Sequence, residues 1–146
     1  MLRHVSILVV EDDESQMRTF AIMLSCMGVQ FVTQAGGVDE AWSALKYIAY
    51  DLVISDFGMT PLNGLQFLSM MRQQSKLAHI PFIMMTADAS EDLWKKAIAS
   101  GATEFLFKPF SYRDFQIAVR RALDLDKTDP ESIVRLDRKR TSPSPI

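Results

Sequence analysis

Four stretches of this chain each run an apolar segment into a side chain capable of chemistry. Residues 5–10 (VSILVV) lead into Glu11-Asp12, and Leu52-Val53-Ile54 leads to Asp56. Residues 80–85 (IPFIMM) lead to Thr86, and residues 103–107 (TEFLF) lead to Lys108. Carboxylates crowded together repel one another unless a cation neutralises them. Oxygen-only ligands select a hard divalent ion, and a few carboxylates with several waters suit Mg²⁺. A lysine is a point charge matched to a phosphoryl oxygen. A threonine adds a hydroxyl, and one carboxylate remains as a nucleophile. Such a set is equipped for phosphoryl transfer, with Asp56 forming an acyl phosphate. Taken singly, each member has a plainer reading. Asp56 could cap its loop, and Glu11-Asp12-Asp13 could be acids favoured at a helix N-terminus. Asp13 is read as only that, an N-cap partnered with Gln16. Thr86 alone is a loop hydroxyl and Lys108 alone a surface lysine. The chemical reading rests on all four occurring at successive segment ends.

The elements that would carry these residues alternate. Residues 5–10, 29–33, 52–56, 80–85 and 103–107 read as strands, rich in branched and aromatic residues. Between them lie apolar stripes at helical spacing. The first is Met17, Phe20, Ala21, Leu24 and Met27, closed by Gly28. Cys26 sits among these and is expected to be buried packing rather than a nucleophile. The second is Val38, Ala41, Trp42, Leu45 and Ile48; the third is Leu65, Leu68 and Met71. A fourth helix starts at Asp88 or Ser90 and stops at Gly101. A fifth starts at a Ser111/Asp114 capping box and carries Phe115, Ala118, Val119 and Ala122. Five strands alternating with five helices predict an α/β fold, a doubly wound parallel sheet of (βα)5 type with helices on both faces. In such sheets the strands' C-terminal ends share one edge, where ligands bind. All four chemical positions would lie there.

Composition bounds the function. A chain of 146 residues with 48% hydrophobic and 23% charged residues fits one globular domain. Its net charge of −2 argues against a direct nucleic-acid binder. No apolar run approaches the ~20 residues of a membrane helix, so no membrane insertion is expected. A single cysteine excludes an internal disulfide, and these features together predict a cytoplasmic protein. His4 and His79 are far apart with no companion ligand motif. Residues 126–146 change character: Asp129-Pro130-Glu131 could start a short helix, residues 135–140 are basic, and the serine-proline end reads as disordered.

The stretches ILVVEDD, DLVISDFGMTPLNG, PFIMMTADA and FLFKPF resemble the receiver (CheY-like) domain of two-component response regulators. The resemblance spans residues 3–125, leaving 126–146 as a tail. It implies a flavodoxin-like sheet of order 2-1-3-4-5, Mg²⁺ as cofactor, and phosphorylation by a histidine kinase or histidine phosphotransfer protein. By position, Glu11 and Asp12 match the acidic pair, with Asp12 a direct metal ligand, and Asp56 matches the phosphoacceptor. Gly58 would lend its backbone carbonyl to the metal. Thr86 matches the switch hydroxyl, Ala87 the small residue beside it, and Lys108 the lysine of the motif, before a proline bond that is cis in the family. Phe105 matches the aromatic that moves inward on activation, altering the face of helix 4, strand 5 and helix 5. Trp94 on helix 4 is either core or available to an output partner. The sequence departs from the pattern where Thr60 stands in place of proline, with Pro61 following. Gly58 also leaves no side chain to shield an acyl phosphate from water.

Other readings compete. A DNA-binding regulator would need a longer chain, since only about 20 residues follow the last helix, too few for a helix-turn-helix domain. The receiver part of a larger regulator therefore stands as the alternative to a stand-alone one. A haloacid-dehalogenase-like phosphatase would need a second acid two residues after Asp56, where Gly58 stands, so turnover of outside substrates is not expected. No GxGxxG or P-loop occurs.

Overall fold

The computed structural model describes residues 2–125. Its elements alternate strictly: β1 (Ser6–Val10), α1 (Glu14–Cys26), β2 (Phe31–Ala35), α2 (Val38–Tyr47), β3 (Leu52–Asp56), α3 (Gly64–Arg72), β4 (Phe82–Thr86), α4 (Glu91–Ala99), β5 (Glu104–Phe107) and α5 (Tyr112–Ala122). The strands form one parallel sheet in the order β2-β1-β3-β4-β5. β3 and β4 are buried along their whole length, which their unbroken apolar runs require. β2 is an edge strand, and its outward residues stay in water, Phe31 among them.

Two cores lie on opposite faces of the sheet. One packs Leu8, Val10, Val53, Met84 and Phe105 against α2, α3 and α4. The other packs Ile7, Val9, Ile54, Met85 and Leu106 against α1 and α5. The strict alternation of strand side chains divides each run between the two. Helix starts are fixed by side-chain caps: Asp13 accepts from Gln16 N, Asn63 from Gln66 N in a reciprocal capping box, Ser90 from Leu93 N, and Ser111 from Asp114 N.

Several sequence expectations are corrected. β2 begins at Phe31, two residues later than expected, because Val29 is taken by the end of α1. Gly28 adopts φ +89°, its N–H donates to Ser25 O, and Val29 N donates to Leu24 O at 3.0 Å. This is a Schellman closure, and the same arrangement at Gly101 (φ +102°) ends α4. Cys26 is exposed, not buried. The buried stripe of α1 is Met17, Phe20 and Leu24, and position 26 turns to the opposite side of the helix. Ala21 and Met27 are only half-buried. Ile48 has left α2 in extended conformation and is 46% exposed. In α3 the buried stripe is Gly64, Phe67, Leu68 and Met71, with Leu65 half-buried. Gly64 is what brings α3 so close. A Cβ there would collide with the Asp56 carbonyl oxygen and stand 2.9 Å from Met84 Sδ. The helix and disorder read into residues 126–146 lie outside the described residues.

Candidate functional site

Backbone hydrogen bonds stitch the strand ends into one edge. Glu11 N donates to Ala35 O at 3.0 Å, Phe57 N to Met85 O at 2.7 Å, and Lys108 N to Thr86 O at 2.8 Å. Each bond continues a parallel ladder one residue past its strand. Glu11, Asp12, Asp56, Thr86 and Lys108 therefore emerge side by side.

Lys108 organises the cluster. Its ammonium donates to Glu11 Oε1 and forms an ion pair with Asp56 Oδ1, both at 2.8 Å. It also donates to Gln16 Oε1 at 2.5 Å, and it lies 5.7 Å from the centre of the Phe20 ring. One carboxylate oxygen from each of Glu11, Asp12 and Asp56 lies within 4.8 Å of the others. Glu11 and Asp56 are buried, whereas Asp12 faces solvent. Three carboxylates thus face one ammonium, leaving a surplus of negative charge that a divalent cation would neutralise. The donor set is all oxygen and opens to water through Asp12, as Mg²⁺ requires. Gly58 stands beside the same carboxylate: a Cβ on it would be 3.8 Å from Asp56 Oδ2.

The charges perturb one another. Burial pushes the Glu11 carboxyl above its ordinary range, the Lys108 hydrogen bond pulls it back, and the Asp56 charge pushes it further up. For Lys108, burial disfavours the ammonium, but hydrogen bonds to Asp56 and Glu11, with their charges, outweigh it and raise the pKa.

Thr86 is buried at 3% exposure, and its Oγ accepts from Asp88 N at 3.0 Å. Asp88 Oδ1 accepts from Ser90 N at 2.9 Å, and Ser90 caps α4 through Leu93 N. A chain of three hydrogen bonds thus joins Thr86 to the start of α4. Ala87 is exposed and lines a cavity of about 430 Å³ with Gln16, Phe20, Met23, Lys108 and Phe110. Phe105 lies outside the charged cluster. It is fully buried, its ring 5.1 Å from that of Phe107. Trp94 is half-buried against the core beneath α4. The Lys108-Pro109 bond is cis, and so is Thr60-Pro61, which the sequence did not suggest.

Sequence reasoning missed two contributors. Gln16 was read only as the partner of the Asp13 cap, and its backbone N–H does fill that role, while its side chain reaches Lys108. Phe20 was read as core and also faces the ammonium. Nothing in their spacing signals contact with a residue some ninety positions later.

The family model of the response regulator receiver domain matches residues 7–120. Chemotaxis protein CheY1 of Helicobacter pylori is 31% identical over 108 residues, 73% of this chain and 87% of that one. Response regulator protein FleR of Pseudomonas aeruginosa is 35% identical over 121 residues, 80% of this chain but 24% of FleR. Among solved structures, chemotaxis response regulator CheY4 of Vibrio cholerae superposes with a TM-score of 0.76 at 28% identity, covering 82% of this chain and 99% of that one.

Proposed function

The chain belongs to the response regulator receiver family, and from that premise we propose that it accepts one phosphoryl group on Asp56 from a histidine kinase or histidine phosphotransfer protein. The observation that carries this reading is the Lys108 ammonium at 2.8 Å from both Glu11 Oε1 and Asp56 Oδ1, with Asp12 completing the acidic set. An Asp56 oxygen attacks phosphorus as the donor's P–N bond breaks. The leaving imidazole nitrogen keeps the electron pair and takes up a proton. Lys108 transfers its attraction from the carboxylate to a phosphoryl oxygen, where charge is greatest. Glu11, Asp12, Asp56 and the Gly58 carbonyl would hold Mg²⁺, which supplies charge neutralisation at the transferring group. No general acid stands two residues after Asp56, so the chain modifies itself and loses the phosphoryl group to water, without turnover of outside substrates.

The signal leaves through Thr86. Its hydroxyl turns to the phosphoryl oxygen as a donor, with Ala87 leaving room, and the hydrogen bond from Asp88 N is given up. That breaks the first link of the chain to α4. Phe105 and the α4–β5–α5 face then settle in a second packing, a shift of population rather than of fold. An output protein reads that face, Trp94 included, in the cytoplasm. Among the described residues no helix is long and apolar enough to cross a membrane. A second reading, the receiver segment of a larger regulator, is favoured by the FleR match, of which this chain spans about a quarter.

The test is intact mass after incubation with Mg²⁺ and a small phosphodonor. One phosphoryl group is expected, lost in Asp56→Asn and on chelation of the metal. Uptake unaffected by Asp56→Asn would overturn the assignment.

A further inference from the structure

We propose that Gln16 is a positioning residue for phosphoryl transfer, a strut on α1 that holds the Lys108 ammonium in line with the acceptor. This rests on Asp56 being the phosphoacceptor. An ammonium has three N–H donors and no more. In this structure all three are taken, by Glu11 Oε1 and Asp56 Oδ1 at 2.8 Å and by Gln16 Oε1 at 2.5 Å. The three acceptors come from different elements, the ends of β1 and β3 and the first turn of α1. When Asp56 becomes an acyl phosphate its own oxygens lose charge, and the phosphoryl oxygens become the strongest acceptors nearby. The bond to Asp56 is therefore the one that yields. Glu11 and Gln16 then fix where the ammonium stands as it meets the phosphoryl group.

Gln16 suits that task. Its backbone is anchored by the Asp13 cap at 2.9 Å, so the side chain projects from a rigid turn. It accepts without adding a fourth carboxylate to a site already crowded with them. A long lysine side chain held only by Glu11 would keep its terminal torsions free, and misplacement of a charged group is costly in rate.

The experiment follows phosphorylation of the full chain by phosphoramidate at saturating Mg²⁺. In that reaction the P–N bond breaks, a P–O bond forms to Asp56, and ammonia leaves with the electron pair. Gln16→Met keeps length and packing but removes the strong acceptor. Its rate constant should fall about tenfold, with Mg²⁺ affinity within about twofold of the parent. Gln16→Glu, which restores an acceptor oxygen while adding a fourth carboxylate, should recover part of the lost rate. A rate for Gln16→Met within about twofold of the parent overturns the proposal. So does equal slowing in both variants. Exchange of the Lys108 ammonium protons, followed by NMR, gives a readout independent of phosphate: it should quicken in Gln16→Met, and unchanged exchange also overturns the strut. If the parent chain itself takes up no phosphoryl group, the acceptor assignment fails instead, and the exchange experiment still decides whether Gln16 holds the lysine.

Discussion

Glu104 opens β5 with its carboxyl buried beneath α5, at 6% exposure. Its Oε1 has no hydrogen-bond partner, and the nearest guanidinium nitrogen, on Arg121, is 3.9 Å away. β4, its strand neighbour, carries no charged residue. Burial therefore pushes the Glu104 pKa up from 4.5 to about 7, although Arg121 pulls the other way. In the unfolded chain the carboxyl releases its proton near 4.5, whereas in the folded chain it keeps it until about 7. Between those values the folded state binds more protons, so stability falls as pH rises through the window. Below it the penalty is absent, and above it the penalty is complete. At about 1.4 kcal/mol per pH unit of displacement, the full penalty is about 3 kcal/mol. Glu104→Gln keeps the volume and removes the titration. We expect the variant to match its parent in urea unfolding near pH 4.5. At pH 8 it should be more stable by up to about 3 kcal/mol, a figure that already includes the opposing pull of Arg121. Fluorescence of Trp42 and Trp94 reports the transition. If parent and variant trace the same dependence on pH, the ionised carboxyl is fully compensated in the folded state and the reasoning from its isolation is wrong.

Three further outcomes follow from the same geometry. Gly64→Ala should destabilise the chain by about 2 kcal/mol despite alanine's better helix propensity, because the new methyl meets the Asp56 backbone; a gain in urea midpoint would contradict this. Mg²⁺ at ten times its Kd should raise stability by about 1.4 kcal/mol, and Asp12→Ala should abolish most of that gain; equal gains in both would place the ion elsewhere. Asp88→Ala removes the acceptor for Ser90 N, so amides in the first turn of α4 should exchange about fivefold faster by hydrogen exchange while β3 amides keep their protection.

Much of this architecture could be read along the chain because short-range physics writes it there. The apolar runs that became β1, β3, β4 and β5, the caps at Asp13, Ser90 and Ser111, and the glycines ending α1 and α4 all act within a few residues of themselves. Once parallel alternation was established, it followed that residues 12, 56, 86 and 108 share one sheet edge. The misplacements arose where a residue serves two local structures. Val29 looked like strand and was claimed by the close of α1. Cys26 looked apolar among methionines, but the helix turned it outward.

The residues alone determined an alternating parallel fold with an acidic, lysine-bearing edge, since periodicity and strand ends are local properties. Only tertiary structure decided who holds the lysine. The reach of Gln16 to Lys108, the Phe20 ring beside it, and the burial of Glu104 Oε1 without a hydrogen bond each depend on distances between segments far apart in the chain. Strand pairing and helix approach set those distances, and no spacing along a sequence encodes them.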